Sequence, residues 1–371
     1  MHPPIVYFMN TDYPNPKAHS IQITKVLFGL SRHTDVTFIC NKLTAKGDLF
    51  KKILDQYGYD LSPVRFLEIP KKKLTGFLFY VTLARLCKKF DKDTVFYTRS
   101  YNIAKRLGRT RPFHLRKVIL ESHKKSGYYK EDNVENSRYA SLRGDIEKNN
   151  KSKSTLKKIY KHVDAITFTS NESRRIIEEE VGVRQTQFIW YPLDGRRFDK
   201  PRDKKIVYCG SLATNKLIDL LLDALPLGSH SIQIDILGGT SKDIERVKDE
   251  AEQKGVLDNL TFLGSVPYSK VPEVLARYRY GLSLMEGLKV TDYVECGLVP
   301  IIPRIPMYTE IFDSRNAIFF KADDPASLGQ TLTTLDQIPI ASFERDSLLT
   351  TFSVDATAQK ILGLVHTCMS I

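Results

Sequence analysis

The chain has 371 residues, 42% of them hydrophobic and 27% charged, and carries a net charge of +13. That composition belongs to a globular protein long enough for two ordinary domains, and it contains no apolar run of the roughly eighteen residues that a transmembrane helix needs. The five cysteines (40, 87, 209, 296 and 368) form no C-x-x-C pair and no charged-then-apolar leader precedes the first strand, so a reduced, cytoplasmic chain without structural zinc is predicted.

In chain order, residues 5–9 read as a strand, 20–31 as a helix, and 35–40, 94–98, 117–121 and 165–169 as further strands. Between them, residues 71–90 set an apolar, aromatic segment between Lys71–Lys73 and Lys88–Lys89. It is too short to span a bilayer and suits either contact with an anionic membrane surface or a helix packed on the sheet. Asp91-Lys-Asp93, the only Asp-x-Asp, precedes a strand and reads as a turn; no metal site is expected. Ser170 and Asn171 read as a helix N-cap.

Residues 191–204 are rich in Pro, Gly and charge and form a predicted linker. Beyond it strands and helices alternate: strands at 205–209, 232–237, 260–263, 280–285 and 299–302, helices at 216–225, 242–254, 270–278 and from 289. Apolar strands alternating with periodic helices imply a parallel sheet covered on both faces. The predicted fold class is α/β, two doubly wound Rossmann-like domains facing a cleft, with ligands at the carboxyl ends of the strands. The expected division is 1–190, the linker 191–204, 205–345, and a C-terminal helical segment, 346–371, packing back toward the first domain. Residues 1–200 hold 39 Lys and Arg against 21 Asp and Glu, and residues 201–371 hold 17 against 22. The first domain should therefore favour anionic partners.

The most informative stretch is 284–302. It offers a carboxylate, Glu286, a short helix opening at Lys289, Asp292 in that helix's first turns, and a buried strand. A helix start gathers unpaired N–H groups and partial positive charge, which suits a diphosphate. Acidic side chains beside it can accept from the hydroxyls of a ribose or hexose. The combination fits a sugar nucleotide.

With these residues in place, the sequence resembles a retaining glycosyltransferase of the GT-B fold, glycosyltransferase family four. The motifs that carry the resemblance run in order: Tyr208-Cys-Gly-Ser-Leu, Lys216, Ile236-Leu-Gly-Gly, Leu260-Thr-Phe-Leu-Gly-Ser-Val, and Lys289-Val-Thr-Asp-Tyr-Val-Glu-Cys-Gly. Pro16-Lys-Ala-His-Ser-Ile-Gln, Tyr97-Thr-Arg-Ser and Glu121-Ser-His resemble a branch that assembles bacterial surface polysaccharides. Two departures stand out. The family's second glutamate position is Asp292, with Glu286 two residues too close, so either the loop is shortened or Glu286 is not the counterpart of the first. Ser211 stands where an arginine is common.

The resemblance implies transfer of a sugar from a nucleoside diphosphate donor to a glycan or lipid-linked acceptor, with no metal or cofactor. It implies that Lys216 is the cation on the leaving diphosphate, helped by Gly210 and Ser211, and that Asp292, with Lys289 and Thr291, holds the nucleotide. Glu286 with the backbone of Gly287 and Leu288 would meet the donor sugar, and His123 the reacting centre. Arg99 would grip phosphate or acceptor, or else form an interdomain ion pair, and the loop amides at Lys17 and Ala18 would touch the diphosphate. A peripheral enzyme at the inner membrane face is expected. The alternatives are a sugar-nucleotide epimerase of the same fold, a catalytically silent transferase, and a basic nucleic-acid-binding protein. The last would need a reading module that the sequence lacks.

Overall fold

The structure, a computed structural model, describes residues 2–15, 18–45, 47–70, 78–110, 114–123, 158–181, 185–195, 202, 204–213, 217–228, 232–285, 287–338 and 343–370. They fall into two compact units. Unit 1 lies within Met1–Gly127, Glu147–Pro192 and Phe352–Ile371, and the described part of unit 2 within Leu193–Thr351.

Unit 1 is built on β1 (Ile5–Phe8), α1 (Ala18–Ser31), β2 (Val36–Cys40), α2 (Leu49–Tyr57), β3 (Arg65–Glu68), α3 (Leu78–Cys87), β4 (Val95–Thr98), α4 (Tyr101–Arg109), β5 (Val118–Ser122), β6 (Ala165–Phe168), α5 (Asn171–Val181) and β7 (Thr186–Phe188). The strands make one parallel sheet in the order β3-β2-β1-β4-β5-β6-β7. The five inner strands β2, β1, β4, β5 and β6 are buried at every position, as continuous apolar runs covered on both faces require. The edge strands β3 and β7 are half-exposed and more polar, and the apolar pattern does not announce them.

Unit 2 repeats the plan with β8 (Lys204–Cys209), α6 (Ile218–Ala224), β9 (Ile234–Leu237), α7 (Ser241–Gln253), β10 (Leu260–Gly264), β11 (Tyr278–Leu282), α8 (Lys289–Glu295), β12 (Val299–Pro303), β13 (Ile318–Phe320) and α9 (Pro325–Thr333). Its sheet is parallel in the order β10-β9-β8-β11-β12-β13. The helix predicted over 270–278 is shorter, Val271–Leu275, because β11 already starts at Tyr278 to pair with Lys204.

In each sheet the chain winds outward in one direction, returns to the first strand and winds out the other way. The reversal lies between β1 and β4 in unit 1 and between β8 and β11 in unit 2, and a crevice opens at the carboxyl ends of such strands. The last helix, α10 (Val354–Met369), belongs to unit 1 and packs on α1. The helices approach so closely at Gly29 that a Cβ there would lie 2.7 Å from the Val354 carbonyl oxygen.

Candidate functional site

In unit 2, β8 runs into Gly210, whose φ of +151° is costly for any residue with a Cβ. A Cβ would also sit 2.8 Å from Lys289 Nζ, so the end of that lysine would have to shift. Lys289, the first residue of α8, reaches back across the reversal point and lays its ammonium 3.9 Å from the centre of the Tyr208 ring, a cation–π contact. Burial pushes its pKa down to about 8, the neighbourhood of Cys209 and Asp292 opposing this. No described residue gives this ammonium a hydrogen bond or ion pair.

Asp292 lies one turn along α8, where Tyr268 Oη donates to its Oδ1 at 2.6 Å. Gly287 N donates to Tyr308 Oη (3.0 Å), which in turn donates to the Met285 carbonyl (3.0 Å), so one tyrosine holds both sides of the 285–287 loop. A Cβ on Gly287 would meet open space. Leu288 is half-buried at the helix start. Thr291 is buried, and its hydroxyl donates to the Leu288 carbonyl at 2.5 Å. Ser211 is exposed, and its Oγ accepts from Ala213 N at 3.2 Å. Lys216 and Glu286 lie outside the described residues, as does Lys17.

Tyr293 joins the two strands at the reversal point, a role the sequence did not show. Its hydroxyl accepts from Cys209 N (2.9 Å) at the end of β8 and donates to the Leu282 carbonyl (2.8 Å) at the end of β11. Its ring lies on Gly281, where a Cβ would come within 2.3 Å. The stretch from Gly210 to Ser211 and the loop into α8 are thereby fixed against each other.

In unit 1 the carboxyl ends of β1, β4 and β5 bring together a buried charged group. Glu121, in β5, accepts from Tyr7 Oη (2.8 Å) and pairs with Arg99 Nε (3.4 Å) and His123 Nε2 (2.5 Å). Burial alone would raise the Glu121 pKa, but Arg99, His123 and the Tyr7 hydrogen bond outweigh it and hold it down at about 2. An ionised carboxylate can only accept, so His123 must carry its proton on Nε2, which leaves Nδ1 as the acceptor when the ring is neutral. Burial, and then the Arg99 charge, lower the His123 pKa and favour that neutral form, with Glu121 opposing. The ring stacks on Tyr191, 6.4 Å between centres at 13°, and keeps 22% of its side chain exposed.

Arg99 is committed within unit 1. Besides Glu121 it donates to Gln22 Oε1 (2.8 Å) and the His19 carbonyl (3.3 Å), so its work is to fix β4, β5 and α1 together. Ala18 opens α1 beside this cluster in sequence. In the sequence Glu121 stands out only as part of the Glu121-Ser-His motif. The available signal was a lone carboxylate closing an apolar strand, two residues before a histidine.

Residues 195–339 match the family model described as glycosyl transferases group 1. The fold is that of the GT-B glycosyltransferases. Solved transferase structures resemble it over almost their full lengths. Anabaena Alr3699/HepE in complex with UDP has a TM-score of 0.70 at 14% identity, covering 99% of this chain and 100% of that one. A glycosyltransferase from Rickettsia africae reaches 0.69 at 14% identity over 99% of both chains. S. aureus TarM, in a complex that includes UDP, reaches 0.67 at 12% identity over 98% of this chain and 100% of that one. A comparison with curated protein sequences finds no match. At such identities the GT-B likeness speaks for the fold, and the group 1 model covers the unit that carries Lys289 and Asp292.

Proposed function

We propose that this chain is a retaining hexosyltransferase. In this reading it moves a sugar from an α-linked nucleoside diphosphate donor to a glycan or lipid-linked acceptor, building cell-surface polysaccharide from the cytoplasmic side of the membrane. The observation that carries the reading is the Lys289 ammonium, held between the Tyr208 ring and Gly210 at the reversal point of the unit 2 sheet. Family resemblance leaves Ser211 where an arginine is common, and Lys289 brings a cation to the preceding glycine.

Negative charge builds on the diphosphate as the bond to the sugar breaks. A cation fixed beside it stabilises that state more than the ground state. Lys289 takes this role together with Lys216, Ser211 and the amides at Lys17 and Ala18, so the leaving charge is met without a metal or cofactor. Asp292, oriented by Tyr268, accepts from the ribose hydroxyls, with Thr291 shaping the helix start. Glu286 and the backbone of Gly287 and Leu288 meet the donor sugar. His123 accepts a sugar hydroxyl at Nδ1, its tautomer set by Glu121, while Arg99 keeps that carboxylate ionised. The HepE structures with UDP-glucose and the TarM structure with alpha-GlcNAc-glycerol and UDP support a UDP-hexose donor and an α-linked product.

Calorimetric titration with UDP, GDP and ADP, with and without magnesium, tests the donor site. UDP is expected to bind equally in both conditions, with at least about tenfold weaker binding in Asp292→Ala, the scale of one lost charged hydrogen bond. Absence of binding by all three nucleotides would sink the reading in favour of a silent transferase. Conversion of the donor sugar without an acceptor would mark an epimerase.

A further inference from the structure

Residues 71–117 hold 14 Lys and Arg against two Asp, a net of +12 in a chain whose total is +13. Nearly all of the net charge thus falls on one eighth of the sequence, and the described part of that segment surrounds a cavity of about 730 Å³. One wall is α3, through Leu83, Ala84 and Cys87; Leu115 faces it, and Lys88 and Lys92 complete the lining. The residues before β4 and before β5 form this groove, so it lies at the amino end of the unit 1 sheet. Arg99 and His123 follow the opposite ends of those two strands, about 15 Å away at the rise of a four- or five-residue strand. The groove is separate from the reacting centre.

Two features set it apart from ordinary surface. The helix α3 is apolar beyond its core face: Leu83 and Leu86 are buried, yet Leu78, Tyr80 and Val81 are also exposed, at 48%, 45% and 36%. Leu115 is 78% exposed and has φ +57°, a left-handed conformation that a leucine adopts at a cost. Folding alone rewards neither the strain nor the exposure. Beneath it the Arg116 guanidinium donates to the carbonyls of Cys87 (2.8 Å), Phe90 (2.5 Å), Asp91 (3.1 Å) and His114 (3.2 Å). Those bonds tie the end of α3 to the Leu115 turn and hold the groove open.

We infer that this groove docks the chain on an anionic phospholipid membrane, an acyl chain entering between α3 and Leu115 while Lys88 and Lys92 meet lipid phosphates. The apolar walls of Leu83, Ala84, Cys87 and Leu115 with the Lys88 and Lys92 rim match a lipid. The inference rests on unit 1 alone and does not require the proposed transfer reaction.

Co-sedimentation of the full chain with vesicles tests it. The chain should pellet with phosphatidylcholine vesicles containing phosphatidylglycerol, not with phosphatidylcholine alone, and be released by high salt. Replacing both lysines (Lys88→Gln with Lys92→Gln) should weaken partition about thirtyfold, at about fivefold per basic residue. Leu115→Asn, which tolerates the left-handed backbone, should weaken it about tenfold, as removal of a half-buried leucine would. Val81→Ser should act in the same direction, and Leu263→Asn, an exposed leucine of unit 2, should have no effect. Failure to pellet with the mixed vesicles overturns the inference. So does pelleting that Leu115→Asn and Val81→Ser leave unchanged, or that soluble polyphosphate abolishes in wild type and Leu115→Asn alike, because charge alone would then explain it. UDP binding, measured on the same samples, keeps this result separate from that of the donor site.

Discussion

In unit 1 the Arg99 guanidinium, the Glu121 carboxylate and the His123 ring lie within 3.4 Å of their partners, and their charges are spent on one another. In unit 2 the Lys289 ammonium rests on an aromatic ring, with no hydrogen bond or ion pair from any described residue. The contrast follows from what each sheet end has to do. A self-neutralised cluster is rigid and sets one histidine in one tautomer. A cation kept from its own carboxylates retains its charge for an incoming anion, at the cost of a depressed pKa. Stability should therefore depend on the first site and substrate binding on the second.

The largest effect that would break this contrast is at Glu121. Glu121→Gln leaves Arg99 buried without its counter-charge, and a loss of about 3–5 kcal/mol of stability is expected, measurable by chemical denaturation. A variant as stable as wild type would mean the cluster is no structural anchor. Lys289→Met should do the reverse: unchanged stability and kcat/KM lower by about a hundredfold, the scale of one fixed transition-state donor. The same residue sharpens the comparison through pH. The ammonium is the binding form, and it is lost as pH rises through about 8. Donor affinity should accordingly fall above that pH, and Lys289→Arg should remove the dependence. The smallest expected effect is that of Tyr293→Phe, which strips Cys209 N of its acceptor and should cost about 1–3 kcal/mol, with donor affinity falling less than in Lys289→Met.

Much of this architecture was legible beforehand for a simple reason. A strand covered on both faces must be apolar throughout, so residues 5–9, 35–40 and 117–121 declared themselves, and the loop-helix-strand run around Lys289 and Asp292 did so by its spacing. The edge strands β3 and β7 were missed because an edge tolerates polar residues. Tyr293, Tyr268 and Tyr308 were missed for another reason: each acts on backbone or carboxylate through the tertiary fold, and a buried tyrosine in sequence looks like core. Arg99 was weighed as a phosphate or acceptor ligand and as an interdomain ion pair. The ion pair it makes, with Glu121, and its bonds to Gln22 and the His19 carbonyl all lie within unit 1.

The seating of α10 on α1 has a consequence in time. Unit 1 contains the first residues described and also Phe352–Ile371, while the described part of unit 2 lies between them. At about 5–20 residues per second on the ribosome, unit 1 waits roughly 10–30 s after Pro192 has been added before its closing helix is made. During that wait Gly29 and the helix around it lack their partner, and unit 2 can finish first. The order of completion thus runs against the order of synthesis, and a chain stopped short of α10 would be damaged in the unit it began with.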